Sequence, residues 1–386
     1  MLNNSAHSAH KLDAHTAYAP IVTAVDDGLA AEWEALAAVA SEPNSYGEYW
    51  FVRAALKHFR GDETVRLAQV RDGLGELVGI LPLASTAQYG RLPITAVTNW
   101  VHLQCYCGEP LIRAGSEFAF WTALLDLLDR SEWASKILTL RLIYGDGPIR
   151  KALDEAAATS RRPLHVAQRY VRATLTSDID PEAYIETTVR PKKRKELRRQ
   201  AKRLAEQGEV RFEQLARSDA IAPWCDQYLA LEAAGWKGKG GTALNINPAS
   251  EEFFREIMND AHDLGRVDFL RLTLDDRPIA MLVNLRSPPA IWSYKITYDE
   301  SLARFSPGVL IELETIALVL GDPEIRFADS CAKADHSMIN TLWGERQMIE
   351  QVTVSLKGPV RLPAYLLCRN VDQLGASLRR KRKPKS

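Results

Sequence analysis

The sequence predicts an α/β (α+β) protein, with mixed sheets flanked by helices and length enough for two or three domains. Three observations predict it. Apolar residues alternate along short segments and recur at helical spacing in the segments between them. At 386 residues the chain exceeds what one core usually holds. Residues 288–343 order a strand, a polar turn, a helix, a second strand with a polar end and a further helix, an α/β order.

Composition excludes several classes. With 46% hydrophobic and 25% charged residues the chain reads as globular. Lys plus Arg and Asp plus Glu balance at 49 each, so any polyanion preference must be local. The five cysteines, 105, 107, 225, 331 and 368, are scattered, and Cys105-x-Cys107 lacks a second ligand pair. They read as reduced thiols of a cytoplasmic protein without a metal. No signal-like start and no window of 18 apolar residues is found, so no transmembrane segment is expected.

Residues 1–19, with His7, His10 and His15, read as a disordered tail, and 20–176 as a first domain. Leu29, Trp33, Leu36 and Ala37 share a helical face in Asp26–Val39, as do Val52, Ala55, Leu56 and Phe59 in Tyr46–Phe59. Strands Val65–Val70 and Leu77–Ser85 flank the hairpin turn Asp72-Gly73. Thr95–Leu111 is extended and aromatic; its His102, Gln104 and Glu109 either line a substrate cleft or are satisfied core positions. Helix Glu117–Arg130, strand Ile137–Leu142, helix Pro148–Ala158 and a strand pair in Leu164–Leu175 complete this half.

A second domain is expected at 177–378, with 379–386 as a basic tail. Asp178–Thr188 links the halves. Arg190, Lys192, Lys193, Arg194, Lys195, Arg198, Arg199, Lys202 and Arg203 then form the densest charge run, over an apolar stripe of Leu197, Ala201 and Leu204. It is a solvated helix face, or it contacts cofactor phosphates, tRNA, lipid headgroups or acidic polysaccharide. No aromatic residue interleaves it, which speaks against nucleic acid. The final RRKRKPKS repeats the theme and is compatible with membrane-surface attraction. Strand Val210–Leu215 and helix Ile221–Ala234 lead to the Gly-rich loop Gly235–Thr242, which is not a Walker A sequence. Its Trp236 and Lys237 suit an active-site loop or a plain connection. Helix Ser250–Leu264 and the hairpin Val267–Leu274 with Pro278–Leu285 follow.

Strand Ala290–Tyr298 precedes Arg304-Phe305-Ser306-Pro307-Gly308, where Ser306 can cap and Pro307 can open a helix running to about Leu320. Gly308 leaves room for a ligand, and free N–H groups behind Arg304 suit a pyrophosphate. Strand Glu324–Ala328 delivers Asp329, and His336 and Asn340 open a short helix. Strand Gln347–Leu356 and helix Pro363–Ser377 close the chain.

This order resembles the cofactor half of the GNAT acyltransferase fold. The runs YKITYDESLARFSPGVLIELETI, VRPKKRKELRRQAKRLAEQGEVRFE, GWKGKGGTAL and RPIAMLVNL resemble the CelD/BcsL family, acetyltransferase-like proteins associated with cellulose biosynthesis loci, over Arg190–Leu356. The resemblance implies acetyl-CoA or another acyl-CoA as co-substrate, with Arg304, Phe305, Ser306, Pro307, Gly308, Val309 and Leu310 at its pyrophosphate. The two strands would part to admit the acyl arm. Asp329 or His336 would accept the amine proton. Alternation lets only one of Tyr294 and Lys295 face the cleft: Tyr294 to protonate the thiolate, or Lys295 to hold an anionic substrate. Trp236, Lys237, Asp335, Asn340 and Trp343 would flank the acceptor, and Cys331 with His336 offers a covalent route. Where family members carry Asp-Gly followed by Tyr-Lys, this chain reads DSCAKADHSMIN. By analogy with FemABX-type tandem acyltransferases, the first lobe would be a degenerate copy of the second. The expected function is acyl transfer from CoA to an amine. The alternatives are an aminoacyl-tRNA-dependent transferase and a non-catalytic protein of a polysaccharide-synthesis complex.

Overall fold

In the computed structural model residues 18–23 and 26–382 are described. In chain order the elements are β1 (Ala19–Thr23), α1 (Ala30–Ala38), α2 (Tyr49–Phe59), β2 (Val65–Arg71), β3 (Leu77–Thr86), β4 (Ala96–Asn99), β5 (Leu111–Ile112), α3 (Glu117–Arg130), β6 (Ile137–Tyr144), α4 (Pro148–Thr159) and β7 (Leu164–Leu175). The second half holds α5 (Pro181–Thr188), α6 (Pro191–Ala205), β8 (Val210–Gln214), α7 (Ala222–Ala234), α8 (Trp236–Lys239), α9 (Pro248–Leu264), β9 (Val267–Leu274), β10 (Arg277–Ser287), β11 (Ala290–Tyr298), α10 (Pro307–Gly321), β12 (Phe327–Asp329), β13 (Glu345–Ser355) and α11 (Arg361–Arg382).

One topology occurs twice. A strand, two helices and three antiparallel strands lead through a helix to a strand parallel to the third: β4 with β6 in the first half, β11 with β12 in the second. The last strands are exchanged. β7 leaves its own half to pair with β12, and β13 inserts between β6 and β7. Both halves thus share one sheet, ordered β1-β2-β3-β4-β6-β13-β7-β12-β11-β10-β9-β8.

The exchange corrects the domain limits expected above. Val352, Val354 and Leu356 pack with Trp121, Leu138 and Leu153 in the core of the first half, although they belong to the 177–378 segment. Leu164–Leu175 is one strand rather than a pair, because an irregularity near Ala167 lets it bend while it stays hydrogen-bonded to β13. The link between halves carries α5, whose Asp180 side chain accepts from Glu182 N at 2.9 Å ahead of Pro181, a standard helix start. α11 runs beyond residue 378, while the histidine-bearing start and residues 383–386 lie outside the described residues.

A core spanning both halves fixes them together. Tyr46 and Phe51 of the first half pack edge-on against Trp292 and Phe253 of the second. Around it, α2 and α9 are tied by Arg53–Asp260 and Lys57–Glu256 at 2.7 Å each.

Candidate active site

β11 is held by β10 along one side, but the register slips once. Val283 faces Lys295 and Asn284 faces Ser293, so Tyr294 is an extra residue. Such a bulge brings two successive side chains towards one side. The alternation that would separate Tyr294 from Lys295 is therefore broken, and both line the same cavity, where both reach Gln104 Oε1. The expectation that only one faces the cleft is corrected.

On its other side β11 pairs with β12 only from Ala290 to Trp292, opposite Phe327 to Asp329. The strands then part, and Ser293–Tyr298 line a cavity of about 690 Å³. Its other walls are the start of α10, the 330–339 loop, α7–α8, and Gln104 and Tyr106 from the first half.

At the start of α10 the details differ from those expected. Ser306 adopts a left-handed backbone (φ 55°), and its side chain caps nothing. Its carbonyl instead accepts from Val309 N at 2.9 Å and Leu310 N at 3.0 Å. Among the described residues, the Gly308 amide is left without a backbone partner. Gly308 lines the cavity with Tyr298 laid against it; a Cβ there would stand 3.0 Å from that ring. Phe305 and Leu310 turn into the core with β9 and β10, Val309 packs with Ile316 and Trp343, and Pro307 is buried. The Gly308 backbone is therefore what this segment turns to the cavity, with Ser306 half-buried and Arg304 exposed beside it.

The charged groups divide into committed and open ones. Lys237 is committed: its Nζ pairs with buried Glu232 at 2.7 Å and donates to Ile296 O at 3.0 Å, pinning α8 to β11. Trp236 is 58% exposed, so its ring is available at the rim. Lys295 is open. It donates to Gln104 and to Tyr106 Oη (3.2 Å), which uses two of three ammonium donors, and it has no carboxylate at ion-pair distance among the described residues. Burial pushes its pKa down to about 8, with Glu232 opposing.

Glu312, one turn into α10, also lines the cavity. It is buried, its Oε1 has no hydrogen-bond partner, and desolvation pushes its pKa up to about 7, tempered by the Trp343 indole. Sequence reasoning missed it. The signal was present, since Gly308, Ile311, Glu312, Thr315, Ile316 and Val319 form one buried stripe, and a carboxylate on such a stripe calls for a reason.

Asp329 does not line the cavity. It is fully buried, accepts from Arg172 Nη1 at 2.9 Å, Tyr144 Oη at 3.1 Å and Cys331 N at 2.8 Å, and joins β12 to β7. With its oxygens so engaged, it corrects the expectation of a free base. His336 does line the cavity; its Nδ1 accepts from Ile339 N at 3.3 Å. Asp335 and Asn340 are not among the lining residues: Asn340 Nδ2 donates to Ala334 O at 2.8 Å, and Trp343 is buried in the core under α10. Cys331 lines the cavity, but burial pushes its thiol pKa well up, and Tyr46 Oη sits 3.4 Å away. A protonated thiol is a poor nucleophile. Of the three polar residues 102, 104 and 109, only Gln104 reaches the cavity. His102 stacks on Phe59 with its pKa pushed down to about 3 by burial, and Glu109 accepts from Tyr144 N. No cluster of His, Cys, Asp and Glu suited to a metal occurs among the described residues.

A model of the acetyltransferase (GNAT) domain matches residues 191–335, from the basic helix to the cleft loop. No curated protein sequence matches the chain. Among solved structures, FemX is similar with a TM-score of 0.58 and 10% identity, covering 90% of this chain and 99% of that one. A conserved protein of unknown function from Bacteroides thetaiotaomicron VPI-5482 gives 0.53 and 10%, over 85% and 97%. The C-terminal domain of a putative lysylphosphatidylglycerol synthetase from Agrobacterium fabrum gives 0.50 and 11%, over 89% and 95%. At these identities the likeness is one of fold: the chain has a GNAT-type acyltransferase fold, built as a tandem pair.

Proposed function

We propose that the chain is an acyl-CoA-dependent N-acyltransferase whose acceptor amine carries an anionic group. The observation that carries this is the parting of β11 and β12 beside the start of α10, which opens strand edge, helix start and buried charged groups into one cavity. The residues fit the co-substrate. Ser293–Tyr298 offer an extended edge for an amide-bearing arm, and Gly308 with Arg304 offers a donor and a cation for phosphates. When bound, acyl-CoA supplies the activated thioester.

The chain's own groups then divide the work. Glu312 takes the proton of the acceptor ammonium, because a buried carboxyl titrating near neutrality is both a competent base and regenerable. As the amine nitrogen bonds to the acyl carbon and the C–S bond breaks, Tyr294, whose hydroxyl burial keeps protonated, donates to the leaving thiolate and takes back the proton that the acylated nitrogen sheds. Lys295 holds the acceptor's anionic group from the opposite lobe's Gln104 and Tyr106. The CelD/BcsL resemblance supports an acceptor of polysaccharide or cell-envelope biosynthesis.

Calorimetric titration tests the premise. Acetyl-CoA or a longer acyl-CoA is expected to bind wild type, and Gly308→Ala to weaken binding about three- to tenfold, since the new Cβ stands 3.0 Å from the Tyr298 ring and makes it give by a few tenths of an ångström. Absence of binding to wild type overturns the reading. Lys295→Met is expected to raise KM for an anionic amine roughly ten- to hundredfold while leaving acyl-CoA affinity unchanged. An equal loss for neutral amines would dismiss the anionic acceptor.

One observation favours a second reading, an aminoacyl-tRNA-dependent transferase. α6 packs beside the segment leading to α10, with Gln200 Nε2 donating to Arg304 O at 3.2 Å. Its Arg190, Lys192, Lys195, Arg198, Arg199, Lys202 and Arg203 are exposed and carry no ion pair among the described residues. tRNA binding that falls steeply with salt would move this reading ahead.

A further inference from the structure

Helix α11 presents two unlike faces. Tyr365 and Cys368 are buried against the exchanged strands, and Asp372 on that side pairs with His165 Nε2 at 2.8 Å and accepts from Tyr89 Oη. Arg361, at the start of the helix, is spent on the carbonyls of Leu128, Asp129 and Ala134. The opposite face carries Leu362, Leu366, Leu367, Val371 and Leu374, each 36–65% exposed, continuing from Val360 at 65%. Between 362 and 377 the exposed positions of this helix hold no charged residue; the polar ones are Asn370, Gln373 and Ser377. A monomer rarely leaves such a stripe to water. The sequence then reads Arg379-Arg380-Lys381-Arg382-Lys383-Pro384-Lys385, six cations without an acid.

We infer that the outer face of α11 docks on an anionic membrane surface. An uncharged aliphatic stripe followed by clustered cations is the make-up of a helix lying in the lipid interface, its apolar side among the acyl chains and its cations at the phosphates. No described helix is long and apolar enough to cross a membrane, so the mode is adsorption in the plane. Charge argues against a second copy as the occupant. Two such helices side by side bring cationic run onto cationic run. Antiparallel, they bring each run towards the exposed Lys357 ahead of the partner's helix.

The test is flotation of the full chain with phosphatidylcholine vesicles, alone or with about one-third phosphatidylglycerol. Wild type is expected to float with the anionic vesicles at least about tenfold better than with the neutral ones, and to be released by salt near 0.5 M. Leu367→Glu with Leu374→Glu is expected to lose at least about tenfold of that binding, while unfolding and binding acyl-CoA as wild type does. Failure of wild type to float overturns the inference, as does undiminished flotation of the double variant. A wild-type dimer that the same substitutions convert to monomer also overturns it, in favour of a second copy on this face.

Discussion

Glu312→Gln is expected to lower kcat/KM for the amine about 10²- to 10⁴-fold, the usual worth of a general base. In wild type, activity should rise with pH through about 7, where the buried carboxyl loses its proton, and the variant should lack that limb. Stability should move the other way. The folded-state pKa lies above the ordinary 4.5, so Glu312 favours folding only while protonated, and its contribution is lost as pH rises through about 7. Above that, ionised Glu312 costs the fold ~3 kcal/mol, and the glutamine variant should be the more stable protein at pH 8. Urea unfolding of both proteins at pH 5 and pH 8 measures it. A variant with full activity and an unchanged pH profile would pass the proton to His336 instead, and His336→Ala would then carry the loss.

Removing the carboxylate of Asp329 is expected to act on the fold more than on the chemistry. Asp329→Ala leaves Arg172 buried, with Tyr106 O and Tyr170 Oη as its remaining hydrogen-bond partners among the described residues, at a cost of about 3–5 kcal/mol. Replacing both, Arg172→Met with Asp329→Leu, should recover most of the loss, since a buried pair exchanged for apolar groups is often neutral. Denaturant midpoints of the three proteins decide it. Wild-type stability in Asp329→Ala together with lost turnover would restore Asp329 as a catalytic group.

Local elements were legible because they rest on local patterns. Glu117–Arg130 and Ala290–Tyr298 have the expected bounds, set by an apolar stripe in one and β-forming residues between turns in the other. The doubling of the fold was legible only as element order, for no residue pattern repeats. What stayed hidden depends on contacts between residues far apart in sequence. That Asp329 is spent on a guanidinium requires knowing that Arg172, 157 residues earlier, lies on the neighbouring strand. The bulge that turns Tyr294 and Lys295 together is a property of how β11 meets β10, so alternation along β11 alone misplaces one of them. Gly308 was readable as a place of close approach. The partner that requires it, Tyr298, was not.

The exchange of β7 and β13 has a consequence for synthesis. When Leu175 leaves the ribosome, β6 still lacks the neighbour that will separate it from β7, and that neighbour ends 180 residues later at Ser355. At 5–20 residues per second the nascent first half waits roughly 10–40 s with one edge of β6 unpaired, β7 without its final neighbours, and an unfilled core layer at Val352, Val354 and Leu356. Neither half is therefore expected to fold alone. Cut at the link, each would display an open edge suited to the missing strand of the other, and the two fragments should reassemble only when produced together.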